Sequence, residues 1–481
     1  MLDAGRCLER RSYYSRAIDF AADRGLTKLL WHFTDDQGCA MEFASVPGIA
    51  SPNAFSQTEM RELVAYGRER GIELIPELAS LGHTAYLTRL PRYRHLAESD
   101  QMFSSLCPVA PETRPLIASL LEETCDVFDT SIVHAGLDEA NFGHHPLSAK
   151  ALENQTKTDL FAEHVEFIHD LLKRRGKRMW MWADGLLHDP ALAERLPRDI
   201  VQCNWRYRPH EPVETTQSLL DRGYDVVLCS ASISSQQMLF PGQRFALPNI
   251  RSLRAHESLI SANGQGRIVG RINTIWTPVR YIAQSLWLGL DLAFALMRDG
   301  PQVDMTGRIE DFGSNFYGLR EVADWREACE IVLRQSPKRD EWLSTITMQP
   351  LNEIILGQIR AAQPQWFRAC KLLDAVRTQV TRHNEEFEAF GLMVRLASLA
   401  YTLSSNAAGL SPAEASLAAE QWQEMIQSIE AQWDAERYAD DPRKYAAPID
   451  HYAGDHLIPM MKRGLAQLRA RSSTGKMVVA P

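Results

Sequence analysis

Of 481 residues only eight are cysteine, and Cys7, Cys39, Cys107, Cys125, Cys203, Cys229, Cys329 and Cys370 sit far apart with no C-x-x-C pair. That spacing suggests neither a zinc site nor a disulfide framework and reads as buried thiols in a reducing compartment. Basic residues are neither in excess nor clustered: 52 Lys and Arg face 61 Asp and Glu, for a formal charge of -9 and a pI near 5.9. A nucleic-acid surface and a polybasic membrane anchor are therefore not expected, and a small neutral partner fits better. Long apolar runs are also missing. The opening MLDAGRCLERRSYY lacks an apolar core of signal-peptide length, and stretches such as Trp287-Leu288-Gly289-Leu290-Asp291 are broken by charge. No membrane association is expected, and a cytoplasmic location is. Histidines at H-x-H or H-E-x-x-H spacing are absent, so neither a metal nor a cofactor is expected.

What is present is a 45% hydrophobic chain, ample for one large core and a second, smaller domain. From residue 1 to about 300, short apolar or β-branched runs alternate with longer helical patterns. Eight candidate strands follow: Leu2–Gly5, Leu26–Phe33, Ile72–Leu78, Ser131–Gly136, Arg178–Ala183, Ile200–Trp205, Asp225–Cys229 and Ile268–Trp276. Between them lie helical patterns such as Thr58–Arg70 and Asp159–Arg175, and Gly25, Gly71, Gly176 and Gly223 each precede a strand where a left-handed helix cap is cheapest. Eight such units predict an α/β fold, a (β/α)8 TIM barrel over residues 1–310. A doubly wound sheet stays open, although no G-x-G-x-x-G turn follows the first strand. Beyond residue 310 strands disappear and stripes such as Leu351, Ile354, Ile355 and Ile359, then Trp422, Met425, Ile426, Ile429 and Trp433, predict an all-α C-terminal domain over 311–481. Arg471–Pro481 reads as a frayed tail.

In such a barrel the reactive groups gather where strands end. There the chain places Trp31-His32-Phe33-Thr34-Asp35-Asp36-Gln37-Gly38, Pro76-Glu77-Leu78-Ala79-Ser80-Leu81-Gly82-His83 and His134-Ala135-Gly136-Leu137-Asp138-Glu139, with Trp182, Trp205 and Trp276 closing the fifth, sixth and eighth strands. Adjacent acidic pairs are usually solvated surface, as Glu122-Glu123 and Asp440-Asp441 read here. Asp138-Glu139 differs by following the buried-looking run Ile132–Gly136. His83 alone fits a satisfied loop residue, and the tryptophans alone fit caps on the barrel core. Their shared rim instead suggests a sugar site, since indole faces match the C–H face of a pyranose.

The segment Thr34–Gly38 (TDDQG), the P-E-x-x-x-x-G-H spacing from Pro76 to His83 and H-x-G-x-D-E at His134–Glu139 resemble the catalytic barrel of glycoside hydrolase family 20, in the right order and over roughly residues 1–300. Within it, the compact intracellular hexosaminidase D-like branch is nearest in architecture, with a W-x-D at Trp182-Ala183-Asp184. The resemblance implies a retaining exo-β-N-acetylhexosaminidase that removes terminal GlcNAc or GalNAc. It makes Glu139 the general acid/base and Asp138 its partner, with His83 and Asp35 as a chain behind Glu139 and Asp36 as the alternative register. Arg6 would bind outer hydroxyls, His134, Trp182, Trp205 and Trp276 would belong to the substrate site, and Asp184 reads as either a hydroxyl ligand or a loop cap.

Sequence neighbours cannot flank a glycosidic bond as acid and nucleophile, so the implied route is substrate-assisted: the 2-acetamido oxygen attacks C1 to give an oxazoline-like intermediate. That division expects a protonated Glu139, raised by its anionic neighbour, and an ionised Asp138. Two features depart from the family. The segment Ser230–Ser235 lacks the tyrosine expected after the seventh strand, and Trp276-Thr277-Pro278 lacks the glutamate of W-x-E; Tyr207, Tyr281 or a serine are left as replacements. Two rivals stay open, a catalytically silent carbohydrate-binding barrel and a metal-dependent hydrolase built from His32, His83, His134, Asp35 and Asp138. The sequence does not decide whether the helical domain pairs two copies into a homodimer.

Overall fold

The structure is a computed structural model that describes residues 1–101, 104–260, 265–442 and 456–474. Eight parallel strands follow one another around a nearly closed barrel: β1 (Leu2–Asp3), β2 (Lys28–His32), β3 (Glu73–Glu77), β4 (Ile132–His134), β5 (Arg178–Trp182), β6 (Val201–Trp205), β7 (Val226–Ile233) and β8 (Ile268–Ile275). Each falls on one of the eight expected segments, which excludes the doubly wound order. β1 pairs with β2 through Leu2 opposite Trp31 and Asp3 opposite His32. On the far side the Met1 nitrogen donates to the Asn273 carbonyl at 2.8 Å, and the Thr277 N–H donates to Asp3 Oδ2 at 2.9 Å. These bonds draw β1 toward β8. Inside, Leu30, Ile75, Ile132, Trp180, Trp182, Val201, Cys203, Val227 and Cys229 fill the lumen, as the inward layers of a barrel must.

The connecting helices begin and end where their sequences say. Ser56 and Thr156 form capping boxes with Glu59 and Asp159 at the starts of Gln57–Glu69 and Lys157–Arg174. Gly25, Gly71, Gly176 and Gly223 all take positive φ at the turn into the next strand. Two parts of the barrel differ from expectation. The connection between β5 and β6 has only short helical turns, Asp184–His188 and Pro190–Glu194. β7 continues to Ile233, because Ser230, Ala231 and Ile233 pair with Asn273, Thr274 and Ile275, so much of the segment expected to be loop is strand.

The C-terminal region is helical, with Met305–Asn315 lying across the expected boundary at residue 310, followed by Ala323–Gln335, Glu353–Val376, Asn384–Asn406, Pro412–Glu436 and Leu457–Thr474 among others. Trp422, Ile426, Ile429 and Trp433 are buried as a stripe, whereas Ile354 is solvent-exposed at the helix start. One apolar cluster runs continuously from the barrel helices into this region. The expected frayed tail is corrected at its start: helix persists to Thr474, and Arg471 donates to the Ala407 and Met348 carbonyls. The rest of that tail, 475–481, lies outside the described residues. The cysteines are free thiols, seven buried and Cys370 partly so. Among the described residues no helix is long and apolar enough to cross a membrane.

Candidate active site

At the carboxyl ends of the strands lies a cavity of about 340 Å³ lined by Arg6, Asp35, Asp36, Gln37, His83, Asp138, Glu139, Trp182, Trp205, Tyr207, Ser235, Trp276, Thr277 and Arg280. Its size and mixed lining suit a small polar molecule with flat apolar faces. Backbone strain concentrates here. His83, Leu137, Glu139 and Thr277 all have φ between 48° and 77°, a region costly for residues with a Cβ and sustained only when surroundings enforce it. Gly82 shows one such constraint: a Cβ there would stand 2.1 Å from the Asp138 carbonyl oxygen. The glycine of the P-E-x-x-x-x-G-H spacing therefore lets the loop after β3 lie against the loop after β4, which brings His83 to the acidic pair.

His83 is the hub. Its Nδ1 meets Asp36 Oδ2 at 3.2 Å, while its Nε2 faces Glu139 Oε2 at 3.2 Å and Asp138 Oδ2 at 3.5 Å. Burial disfavours the imidazolium, but Asp138, Asp35, Asp36 and Glu139 outweigh it and hold the histidine well above its usual range, so both ring nitrogens donate near neutral pH. The residue behind His83 is thus Asp36, the alternative register, which is fixed by the Ala85 N–H at 3.0 Å. Asp35 is 3.7 Å from Nδ1 and is committed elsewhere, to Arg6 Nη2 at 2.9 Å and His32 Nε2 at 2.8 Å. Those cations overcome burial and keep Asp35 ionised.

The expected ionisation order is reversed by the surroundings of the two carboxylates. Asp138 is largely covered, and burial raises it to about 7. Glu139 lies 62% exposed and is lowered, first by its hydrogen bond from His83. Proximity to an anion would raise Glu139, but the nearer cation and the open solvent decide the sign.

The walls are built from behind. Trp182 Nε1 donates to Glu77 Oε1 at 2.7 Å, and Glu77 Oε2 faces His32 Nδ1 at 3.0 Å. Glu77 is held to about 2 against its burial by His32 and His134, and His32 rises to about 10 against its own burial through Glu77, Asp35 and Asp3. Glu77 was quoted in the sequence motifs without a role, and His32 only as a ligand of the metal-dependent rival; a carboxylate at a strand end beside an aromatic rim was the available signal. Trp182 and Trp276 approach with centroids 5.9 Å apart, and the Arg6 guanidinium stands 5.0 Å from the Trp276 ring. Trp276 Nε1 donates to Tyr207 Oη at 2.8 Å, and the Thr274 side chain is a second hydrogen-bond partner of that phenol.

Asp184 and His134 are placed behind the cavity instead of lining it. Asp184 accepts from the Glu139 N–H at 3.1 Å and from Trp205 Nε1 at 3.2 Å, which favours the loop-cap reading and fixes the left-handed turn that carries Glu139. His134 is fully buried against Trp182, and burial lowers it to about 4. Of the five residues of the metal-dependent rival, only Asp35 and His83 belong, with Asp36, to a group of three whose ligand atoms all lie within 4.8 Å of one another among the described residues; His32, His134 and Asp138 are not in that group. A further cavity of about 460 Å³, beside the helical region, has three of its arginines in ion pairs, Arg24 and Arg308 with Asp291 and Arg16 with Glu386, while Arg382 donates to the Ser314 carbonyl.

Residues 1–239 match the glycosyl hydrolase family 20 catalytic domain, a shorter span than the resemblance in the motifs suggested. A β-hexosaminidase of Vibrio furnissii is 26% identical over 265 residues, covering 47% of this chain and 42% of the relative; the chain therefore spans less than half of that protein's length. Among solved structures, an exo-β-N-acetylglucosaminidase of this family from Vibrio harveyi, in complex with N-acetylglucosamine, superposes with a TM-score of 0.51 at 20% identity, covering 64% of this chain and 55% of that one. The Flavobacterium johnsoniae chitobiase gives 0.50 at 18% identity, covering 88% and 74%. These superpositions speak to the fold alone.

Proposed function

Through its barrel this chain belongs to glycoside hydrolase family 20, and on that premise we propose that it is a retaining exo-β-N-acetylhexosaminidase using substrate-assisted catalysis. The observation that carries the mechanism is the commitment of the cavity's carboxylates. Asp35 is tied to Arg6 and His32, and Asp36 to His83 and the Ala85 N–H. Asp138 and Glu139 are chain neighbours sharing one histidine. No lining carboxylate is left to attack C1 opposite the acid, so the nucleophile is the sugar's own 2-acetamido oxygen.

In this reading the sugar seats its C–H face on the indoles of Trp182, Trp205 and Trp276, with Arg6 toward its outer hydroxyls. Seating covers Glu139, whose side chain is 62% exposed, and desolvation then moves its pKa upward toward the protonated form that a leaving oxygen needs. Asp138 moves the other way. The acetamido N–H and the positive charge of the forming ring favour its anion, so sugar binding moves the pair's proton from Asp138 to Glu139. Tyr207 offers its proton to the acetamido carbonyl in place of the tyrosine missing after β7, and Arg280 occupies the wall where the family's glutamate is absent. Glu139 then returns as base to activate the water that opens the cyclic intermediate.

Aryl β-glycosides differing only at C2 (acetamido, hydroxyl, free amine) test this. Turnover of the acetamido sugar alone is expected, with a loss of about 10²- to 10⁴-fold in kcat in Glu139→Gln. Efficient hydrolysis of the plain glucoside would remove substrate assistance.

A further inference from the structure

We infer that Arg437, at the end of the helix Pro412–Glu436, is a positioning residue for the sugar-binding wall, so that the helical region completes the barrel's substrate site. Arg437 is fully buried, in a part of the chain that the family match at 1–239 does not reach. Its guanidinium lies 3.9 Å from the centre of the Trp433 ring and holds two barrel loops at once. Toward the loop after β1, Nε and Nη2 donate to Glu9 Oε1 at 2.9 and 2.7 Å. Toward the loop after β8, Nη2 donates to the carbonyls of Pro278 and Tyr281 at 3.0 and 3.1 Å. The backbones also meet: Glu9 and Arg437 form an antiparallel bridge, the Arg10 N–H donates to the Glu436 carbonyl at 2.9 Å, and Arg10 Nε donates to the Arg437 carbonyl at 3.1 Å.

These two loops carry the wall. The first supplies Arg6 and the second supplies Trp276, Thr277 and Arg280 to the cavity. The second loop leaves β8 through Thr277 in a left-handed conformation, and its own turns are short, Arg280 N–H to Thr277 O and Tyr281 N–H to Pro278 O. Asp3 holds its start through the Thr277 N–H, and Arg437 holds its end. A planar guanidinium reaches a carboxylate and two carbonyls together, which an ammonium on one stem cannot reproduce. Loss of Arg437 would free the loop's end and with it the Trp276 and Arg6 surfaces, while the Asp36–His83–Glu139 chain, held from other strands, keeps its geometry. Wall contacts persist from bound sugar to transition state, so their loosening appears in KM and only weakly in kcat.

This rests on the sugar-site reading above, and the test keeps the two apart. Full-length wild type, Arg437→Met and Arg437→Lys are compared for KM and kcat on an aryl β-N-acetylglucosaminide and for hydrogen exchange over residues 276–281. Expected in Arg437→Met is a KM about tenfold higher with kcat within about threefold, an intermediate KM in Arg437→Lys, and faster exchange at 276–281 with 268–275 still protected. A purely structural role would lower the melting temperature and leave KM and loop exchange unchanged, which overturns the inference. Should Arg437→Met not fold, Arg437→Lys decides in its place: wild-type KM and exchange there overturn the inference. Should wild type turn over no substrate, the function reading fails and loop exchange alone decides the role of Arg437.

Discussion

Asp138→Asn should stabilise the protein at alkaline pH while abolishing most of its activity. Burial lifts the Asp138 carboxyl from its ordinary 3.8 to about 7, and each tenfold change in proton affinity is worth about 1.4 kcal/mol of preference for the protonated form. At pH 8 the folded protein therefore carries an anion disfavoured by at most about 4 kcal/mol relative to the unfolded chain. The side chain keeps 17% of its surface, and solvent screening brings the expected gain on neutralisation to about 2 kcal/mol. The sign follows from linkage. Below about pH 3.8 both states hold the proton and Asn gains nothing; the penalty grows as pH climbs and is complete above 7. Calorimetry of wild type and variant at pH 4.5 and pH 8 reads this directly. A variant melting about 2 °C higher at pH 8, and near wild type at pH 4.5, is expected, at roughly 1 °C per kcal/mol for a chain of this length. A variant no more stabilised at pH 8 than at pH 4.5 would refute the idea that this carboxylate is held at a cost to the fold for the sake of function.

Other outcomes follow from the same geometry. Because Asp138 and Glu139 together hold one proton below about pH 7, and the mechanism needs that one proton on Glu139 with Asp138 ionised, kcat/KM should fall above about pH 7, approaching tenfold per unit; a profile level to pH 9 would contradict this sharing. Gly82→Ala places a Cβ 2.1 Å from the Asp138 carbonyl and should cost about 100-fold in kcat/KM by displacing His83, with circular dichroism near wild type; an active variant would show that this loop contact is not needed. Tyr207→Phe removes the phenol proton and strands Trp276 Nε1, so kcat/KM on the acetamido substrate should drop about tenfold, the effect of one lost buried hydrogen bond.

Much of the barrel was legible in the sequence because a buried parallel strand and its capped helix leave separate marks: apolar runs such as Val226–Cys229, and glycines at 71 and 176 whose φ is positive in the structure. The end of β7 was not legible, since Ser230 to Ser232 look like loop and become strand only by pairing with β8. Within the site, the acidic pair and His83 stood out through spacing, but the choice between Asp35 and Asp36 did not. Adjacent aspartates point to opposite partners, and only the fold shows that Arg6 and His32 claim the first and His83 the second. The ionisation order of Asp138 and Glu139 depends on which one solvent reaches, a property of the left-handed turn at Glu139 and not of residue type. Tyr207 was named in the sequence only as one of several possible replacements, and Arg437 was not named at all, for a related reason: each acts through loops distant in sequence, Tyr207 through Trp276 and Arg437 through Glu9 and the segment 278–281.

The central claim is that the nucleophile belongs to the substrate, and its most direct test is a series of aryl β-glycosides whose 2-acetamido group carries zero, one, two or three fluorines on the acyl carbon. Fluorine drains the carbonyl oxygen of electron density with little change in size. If that oxygen attacks C1, kcat falls steeply with each added fluorine, while a carboxylate nucleophile from the protein would leave kcat nearly level across the series and contradict the mechanism.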